Sequence, residues 1–269
     1  MTTTTKALLI AMHDGGGEAA TYTSSVAAQS GYPLTNLQNS RLFSRFRGPS
    51  GSLSSVTLSA DHGSAIAMNV WALFGTNFTA ALTRRLQAGT DATFATNLVD
   101  STSGSAFDTS LGTLVTVVPK WGRSVIYVNA TSQVCRYSRF TLTDSGNPDN
   151  FLEAGVFRYG LGWQPGRSFD ESWRSYDELI GPPGAQKIIR NHELTLAAPT
   201  QSEAYQLAQL ARYILGNRRV LVLPNPLDTA AYLADALWCV LADVYERRVR
   251  FLATGNVYPV TLHFREVDE

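Results

Sequence analysis

Charge of a prevailing sign is the first thing missing from this chain. Lys+Arg is 22 and Asp+Glu is 22 over 269 residues, so the formal net charge is zero. No field of one sign draws nucleic acid to the surface, and general DNA binding is disfavoured. Charged residues make up only 16% of the chain, against 44% hydrophobic. That balance excludes a disordered polymer and suits a β-rich fold decorated with Ser and Thr. Cysteine is limited to Cys135 and Cys239, far apart and both in apolar runs. Buried free thiols made in a reducing compartment are expected, rather than a disulfide. No stretch approaches the roughly 20 apolar residues that span a bilayer. The run Ala7 to Met12 is too short for the apolar centre of a cleavable signal. The expectation is a soluble product folded in the cytoplasm.

Catalytic signatures are missing as well. There is no Gly-x-Ser-x-Gly, no His-Glu-x-x-His and no Cys-x-x-Cys. The glycine run Gly15-Gly16-Gly17 lacks the Lys-Ser/Thr that would make it a phosphate loop, and reads as a flexible turn. His13, His62, His192 and His263 are scattered. His192 and His263 fall on alternating strands, where they are either a metal or acid/base pair or two strand-surface imidazoles. Asp170, Glu171, Asp177 and Glu178 could supply a carboxylate pair for glycoside hydrolysis, in a segment that otherwise reads as a solvated arm. No catalytic residue, metal ligand or cofactor is assigned, and the chain is read as a non-enzyme.

What the chain does have is a succession of short strands with Gly, Asn, Ser and Pro between them. Ala7 to Met12, Ser54 to Ser59, Ala65 to Gly75, Thr83 to Gln87, Leu114 to Val118, Ser124 to Val128 and Arg136 to Leu142 all fit strands. Their number and spacing indicate an antiparallel sandwich or jelly roll. Ala65 to Gly75 is apolar on both faces, as in a strand covered on two sides. The Ser/Thr/Gly-rich piece from Ala88 to Gly112 reads as an exposed excursion.

The carboxyl-terminal third carries a second pattern. Ile188 to Leu196 and Arg219 to Leu223 fit strands. Between them an amphipathic helix is predicted, with Leu207, Leu210, Ala211 and Ile214 on one face, Thr200 and Glu203 at capping-box spacing, and Gly216 as its stop. The chain closes on an alternation, with Tyr258, Val260, Leu262 and Phe264 on one face and Thr261, His263 and Arg265 on the other.

Two stretches invite contact with something else. In Ser30 to Gly48, Arg41, Arg45 and Arg47 interleave with Phe43 and Phe46. Either this is a loop that stacks or clamps a sugar or anion, or both rings are buried and the arginines pair with carbonyls or carboxylates. Trp163, Phe169, Trp173 and Tyr176 crowd a segment expected to be irregular. Large aromatics in such a place serve as interface anchors or as a packing cluster between domains.

The order Gly31-Tyr32-Pro33-Leu34-Thr35-Asn36-Leu37, then Arg45-Phe46-Arg47, then Ala72-Leu73-Phe74-Gly75-Thr76-Asn77 resembles a discoidin-type (galactose-binding-like) jelly roll of bacteriophage minor tail proteins. Asp61-His62-Gly63 stands where those sequences often carry Asp-Leu-Gly. Glu153 to Gly160, followed by Trp163 to Phe169, resembles the passage after that jelly roll. The final unit is similar to the belt domain of distal tail proteins, ending in Val260-Thr261-Leu262-His263-Phe264-Arg265-Glu266.

These resemblances imply a mainly β fold: a discoidin-like β-sandwich and a belt-like β-sandwich unit with one α-helix. The implied layout is an N-terminal strand and loop over 1–29 that joins the belt unit, a jelly roll over 30–150, an aromatic arm over 151–185 and a belt over 186–269. The implied function is structural, a homohexameric ring in the tail tip of a virion, made in the host cytoplasm. Its partners would be its own copies, the tail tube protein and the baseplate hub, with DNA only passing through the lumen. Trp163, Phe169, Trp173, Tyr176, Tyr258 and Phe264 would serve the oligomer or partner interface. The competing reading is a carbohydrate-binding module or adhesin that recognises host surface glycans through Arg41, Arg45 and Arg47.

Overall fold

The structure, a computed structural model, describes residues 9–12, 16–39, 41, 43–79, 81–101, 123–163, 174–180, 187–196, 219–223, 237–241 and 260–266, with short pieces among 104–115, 182–205 and 246–257. The chain is mainly β and forms two compact units. One spans His13–Gly162. The other joins Met1–Met12 to Trp163–Asp268. The divisions thus fall at 12/13 and 162/163, where the sequence had suggested limits near 29, 150 and 185.

Two long strands, Val56–Thr76 and Arg123–Thr143, frame the larger unit and pair with each other antiparallel. Sequence reading divides each of them in two, because Gly63-Ser64 and Asn129-Ala130-Thr131 look like breaks. They are bends within continuous strands. The register shifts between Val128 and Gln133 and again between Cys135 and Tyr137. Gly63 takes φ +76, a left-handed conformation that favours glycine, and its N–H donates to Asp61 Oδ1 at 2.9 Å.

The halves on either side of the bend have different neighbours. Leu58 to Asp61 pair with Thr21–Ser24, and Tyr137 to Thr143 pair with Thr83–Gly89. Val70 to Phe74 pair with Val156 to Gly160, and Ser124 to Tyr127 pair with Gly112–Val115. The two halves serve the two layers of a β-sandwich. Leu58, Leu86 and Phe140 from one layer and Trp71, Leu73, Val125 and Phe157 from the other share a single apolar core. Removing this much apolar surface from water is the main favourable term in the unit's stability. Cys135 is buried in that core as a free thiol, and burial pushes its pKa up to about 11.

Residues 88–101, the described first part of the piece from Ala88 to Gly112, are more firmly attached than their composition suggests. Val99–Asp100 pairs with Gln87 and Ala88, and Phe94 and Val99 are buried. A Ser/Thr/Gly-rich composition hides this, because only a few apolar anchors are needed to fasten a loop.

In the smaller unit, Lys187–Leu196 pairs with both Arg174–Ile180 and Val260–Glu266, and Leu237–Leu241 joins Val260–Glu266 to Val220–Leu223. Leu9–Met12 then pairs with Val220–Leu223, so the first strand belongs to the sheet built by the last third of the chain. The closing alternation is realised: Leu262 and Phe264 are buried, while Thr261, His263 and Arg265 are half-buried. In the segment expected to be helical, Ser202 and Tyr205 are helical and exposed, and its other positions lie outside the described residues.

The aromatic arm is not irregular throughout. Trp163 ends the strand Val156–Trp163, and Tyr176 lies on Arg174–Ile180. Ser175 to Ile180 reads as polar and unpatterned on its own, and forms a strand because Lys187–Glu193 supplies its backbone partners.

Candidate functional site

The loops 25–55, 77–82 and 144–155, at one end of the sandwich, carry Arg41, Phe43, Arg45, Phe46 and Arg47, the Arg/Phe stretch that the sequence singled out. A five-residue 3-10 turn, Leu34–Gln38, begins the construction. Its Leu37 is fully buried. Its last carbonyls have no partner within the turn, and the buried Arg158 satisfies them. Arg158 Nη1 donates to Leu37 O at 2.9 Å and Nη2 donates to Gln38 O at 3.0 Å. Asn36 Nδ2 donates to Arg45 O at 2.8 Å, which ties the following loop back to the turn.

That loop is a tight reversal. Ser44 N–H donates to Arg41 O at 3.2 Å, Arg41 N–H donates to Asn39 Oδ1 at 3.1 Å, and Asn39 Nδ2 donates to Ser44 Oγ at 3.2 Å. Phe43 rides on it, 52% exposed. Phe46, by contrast, is buried. The structure therefore divides the two rings that the sequence had treated alike.

Phe46–Arg47 then pairs with Glu153–Ala154 as a two-stranded ribbon, with Arg47 directly opposite Glu153. The Glu153 carboxylate lies between two guanidinium groups. Oε1 is 3.4 Å from Arg45 Nη1 and Oε2 is 3.4 Å from Arg47 Nη2. The Arg47 guanidinium is also held between two rings, 3.9 Å from the centre of Tyr32 and 4.2 Å from that of Phe151. Such flat contacts suit Arg better than Lys. Asn77 braces the far side: its Oδ1 accepts from Glu153 N–H at 2.8 Å, and its Nδ2 donates to Phe151 O at 2.9 Å and to Asp149 Oδ2 at 3.0 Å. Arg41 is exposed. The cluster sets two partly exposed guanidinium groups around a buried carboxylate, on a backbone fixed by hydrogen bonds and two residues along the chain from the exposed Phe43.

Glu153 is the residue that sequence reading missed. It lies 106 positions from Arg47 in the chain, and no local pattern marks it. Of the carboxylates considered for hydrolysis, Glu178 is the one whose side chain is described. Glu178 Oε2 accepts from Asn191 Nδ2 at 3.3 Å and lies 3.8 Å from Arg265 Nη2, and Asp170 and Glu171 lie outside the described residues. His263 stands opposite Glu193, and His192 opposite Phe264, so the two histidines are not cross-strand partners. Among the described residues, no group of three or more His, Cys, Asp or Glu could hold a metal ion, and no helix is long and apolar enough to cross a membrane.

Of the residues suggested for an interface, Tyr176 is 48% exposed and Phe264 is 1% exposed. Phe264 is therefore corrected from a contact residue to a core residue. It is on the inward face of its strand, and an inward ring serves its own unit's stability. Phe169, Trp173 and Tyr258 lie outside the described residues.

No protein-family model and no curated protein matches this sequence. Solved structures do show likeness over about half of it. Chitosan-binding module 1 from a chitosanase/glucanase of Paenibacillus sp. IK-5 is 18% identical, covering 55% of this chain and 98% of its own, with a TM-score of 0.40. CBM32-1 from a family 31 glycoside hydrolase of Clostridium perfringens is 13% identical over 55% and 98%, with a TM-score of 0.42. The family 32 CBM of C. perfringens NanJ, in complex with galactose, is 11% identical over 56% and 98%, with a TM-score of 0.39. At this level the likeness assigns no ligand to the present chain.

Proposed function

We propose that the sandwich unit is a non-catalytic carbohydrate-binding module that engages surface glycans through the Phe43 turn and the Arg45–Arg47–Glu153 cluster. The observation that carries this reading is Phe43. A large aromatic ring, half in solvent, sits on a turn closed by three hydrogen bonds, two residues from a guanidinium clasped to a carboxylate. Sugars present an apolar ring face and hydroxyls that both donate and accept. An aromatic face beside fixed guanidinium donors complements the ring face and the hydroxyl oxygens.

A glycan array probed with the full chain is expected to give positive spots. Phe43→Ala should weaken them about tenfold, the scale of a lost aromatic contact, with the unfolding midpoint only slightly lowered because half of the ring is already in solvent. An array blank for the wild-type protein overturns the reading.

A second reading is supported by a separate observation. Arg174–Ile180 is the terminal strand of its sheet among the described residues, and it presents Tyr176 and Leu179 on alternate faces, both exposed. A strand edge with apolar side chains on both faces is a template for another chain. This supports assembly of the smaller unit into a closed head-to-tail ring, in the manner of the phage distal tail proteins that the sequence resembles. Light scattering on the purified full chain is then expected to report a hexamer, reduced to monomer by Leu179→Lys. A wild-type monomer at sub-millimolar concentration overturns it.

A further inference from the structure

The corner where the two long strands pass from one layer to the other depends on side chains to hold it shut. The register between Val56–Thr76 and Arg123–Thr143 reaches Asp61 opposite Tyr137 and resumes at Ile66 opposite Cys135. It skips His62 to Ala65 on one strand and Arg136 on the other. Gly63, Ser64 and Ala65 are exposed. Where the ladder is interrupted, local opening is governed by the side chains that bridge the gap.

One bridge is an ion pair. Asp61 accepts from Arg136 Nε at 2.9 Å and from Nη2 at 3.1 Å. Both partners are partly exposed, and such pairs contribute little. The other bridge is His62. Its Nε2 is 3.0 Å from Ser138 Oγ across the gap, and its ring centre lies 3.7 Å from that of Tyr159. Ser138 and Tyr159 are buried, and Tyr159 belongs to Val156–Trp163, on which the chain leaves this unit.

This site suits the neutral imidazole. A protonated ring carries two N–H donors, and Nδ1 is buried with no hydrogen-bond partner among the described residues. The carboxylate whose charge reaches the ring is Asp61, and both of its oxygens are engaged by Arg136. The other ionisable groups at this place are Tyr159 and, acting on Tyr159, Tyr22 and Arg158. The tyrosines are neutral in acid and Arg158 is a cation. A cation over an aromatic face is favoured, but the tilted Tyr159 ring offsets less than a buried charged donor without an acceptor costs.

We propose that His62 is an acid-operated latch: on taking up a proton its ring leaves Ser138 and Tyr159, and the corner at 61–66 and 133–137 opens while the rest of the sandwich stays folded. Burial holds the closed imidazole at a pKa of about 4 against the ordinary 6.5, so the latch is shut at neutral pH and released as pH falls through that window. Asp61 is held below the usual carboxylate range, first by its hydrogen bonds from Arg136, and stays charged there. The corner lies midway along Val56–Thr76, whose two ends adjoin the loops 25–55 and 77–82. It is thus at the end of the sandwich away from Phe43, and the latch does not depend on the carbohydrate-binding reading.

The test is hydrogen exchange of the full chain, followed peptide by peptide at pH 7 and pH 4.5 and corrected for intrinsic rates. Each pH is run without urea and with about 1 M urea, because local opening uncovers little surface and ignores dilute urea, whereas global unfolding accelerates with it. Peptides covering 61–66 and 133–137 should exchange about fiftyfold faster at pH 4.5 than at pH 7, the ratio for a pKa that rises from about 4 to 6.5 on opening. At pH 4.5 their exchange should ignore urea, while that of 70–74 and 139–142 responds to it. In His62→Phe the acceleration of the corner by acid should disappear.

Corner exchange that follows urea as 70–74 does would mean that the corner opens only when the whole unit unfolds, and overturns the latch. So does corner exchange that is equal at the two pH values, or an acid acceleration that His62→Phe leaves intact. If the variant does not fold, the pH and urea dependence of the wild-type corner decides alone.

Discussion

Arg158→Met is expected to destabilise the sandwich unit by about 3 kcal/mol, the range for removing a buried charged donor from its acceptors. Arg158 is buried and donates from Nη1 to Leu37 O at 2.9 Å and to Phe157 O at 2.8 Å, and from Nη2 to Gln38 O at 3.0 Å. Phe157 O also accepts from Tyr22 Oη at 3.0 Å and keeps that bond. Leu37 O and Gln38 O, at the end of the 3-10 turn, lose the charged donor that holds them. The same turn anchors the Phe43 loop through Asn36 and Arg45, so the variant should also weaken glycan binding in whatever protein remains folded. Urea unfolding of the full chain measures the first effect. Arg158→Lys, which keeps the charge but reaches fewer acceptors, should lose about half as much. A Met variant within 1 kcal/mol of wild type would show that the guanidinium holds nothing together.

Acidification should act through His62. Its ring lies 3.7 Å from the Tyr159 ring, its Nε2 is 3.0 Å from Ser138 Oγ, and its Nδ1 is buried without a hydrogen-bond partner among the described residues. Burial lowers its pKa from the ordinary 6.5 to about 4, and the neighbouring Asp61 carboxylate offsets only part of that. Asp61 is itself held low, first by its hydrogen bonds from Arg136.

The sign follows from linkage. Between pH 6.5 and about 4 the unfolded chain carries a protonated imidazole and the folded chain a neutral one. The unfolded state therefore binds more protons, and stability falls as pH falls across that window. At about 1.4 kcal/mol for each pH unit, the loss between pH 7 and pH 4.5 is about 2.5 kcal/mol from this residue. His62→Phe keeps a ring against Tyr159 but removes the proton. Comparison of urea midpoints for both proteins at pH 7 and pH 4.5 isolates the contribution: the variant's pH dependence should be flatter by about that amount. Identical pH dependence in the two proteins would mean that His62 titrates normally in the folded state.

Much of the architecture was legible in order along the chain. Alternation at Val260 to Phe264 gave the inward and outward faces of the last strand, and the two-sided apolar run near Trp71 gave a covered strand. These are local properties: side chains alternate every residue on a strand whatever it pairs with. The bends were not legible. Gly63 and the Asn129 region look like strand ends because turn residues look the same at a bend and at a terminus. Continuity across them is decided by pairing with a strand tens of residues away. Ser175 to Ile180 failed for the same reason, since its strand character is borrowed from Lys187–Glu193.

By itself, then, the sequence determined that this protein is a mainly β, non-disordered chain with an aromatic and arginine-rich loop and a strand-built final third. Composition and periodicity suffice for that, because burial and pleat are set residue by residue. Tertiary structure alone decided two things. It turned Phe43 outward while burying Phe46, and it brought Glu153 across from Arg47. Each depends on which distant backbone comes alongside. That choice belongs to the packing of the whole unit, and no local pattern of residues encodes it.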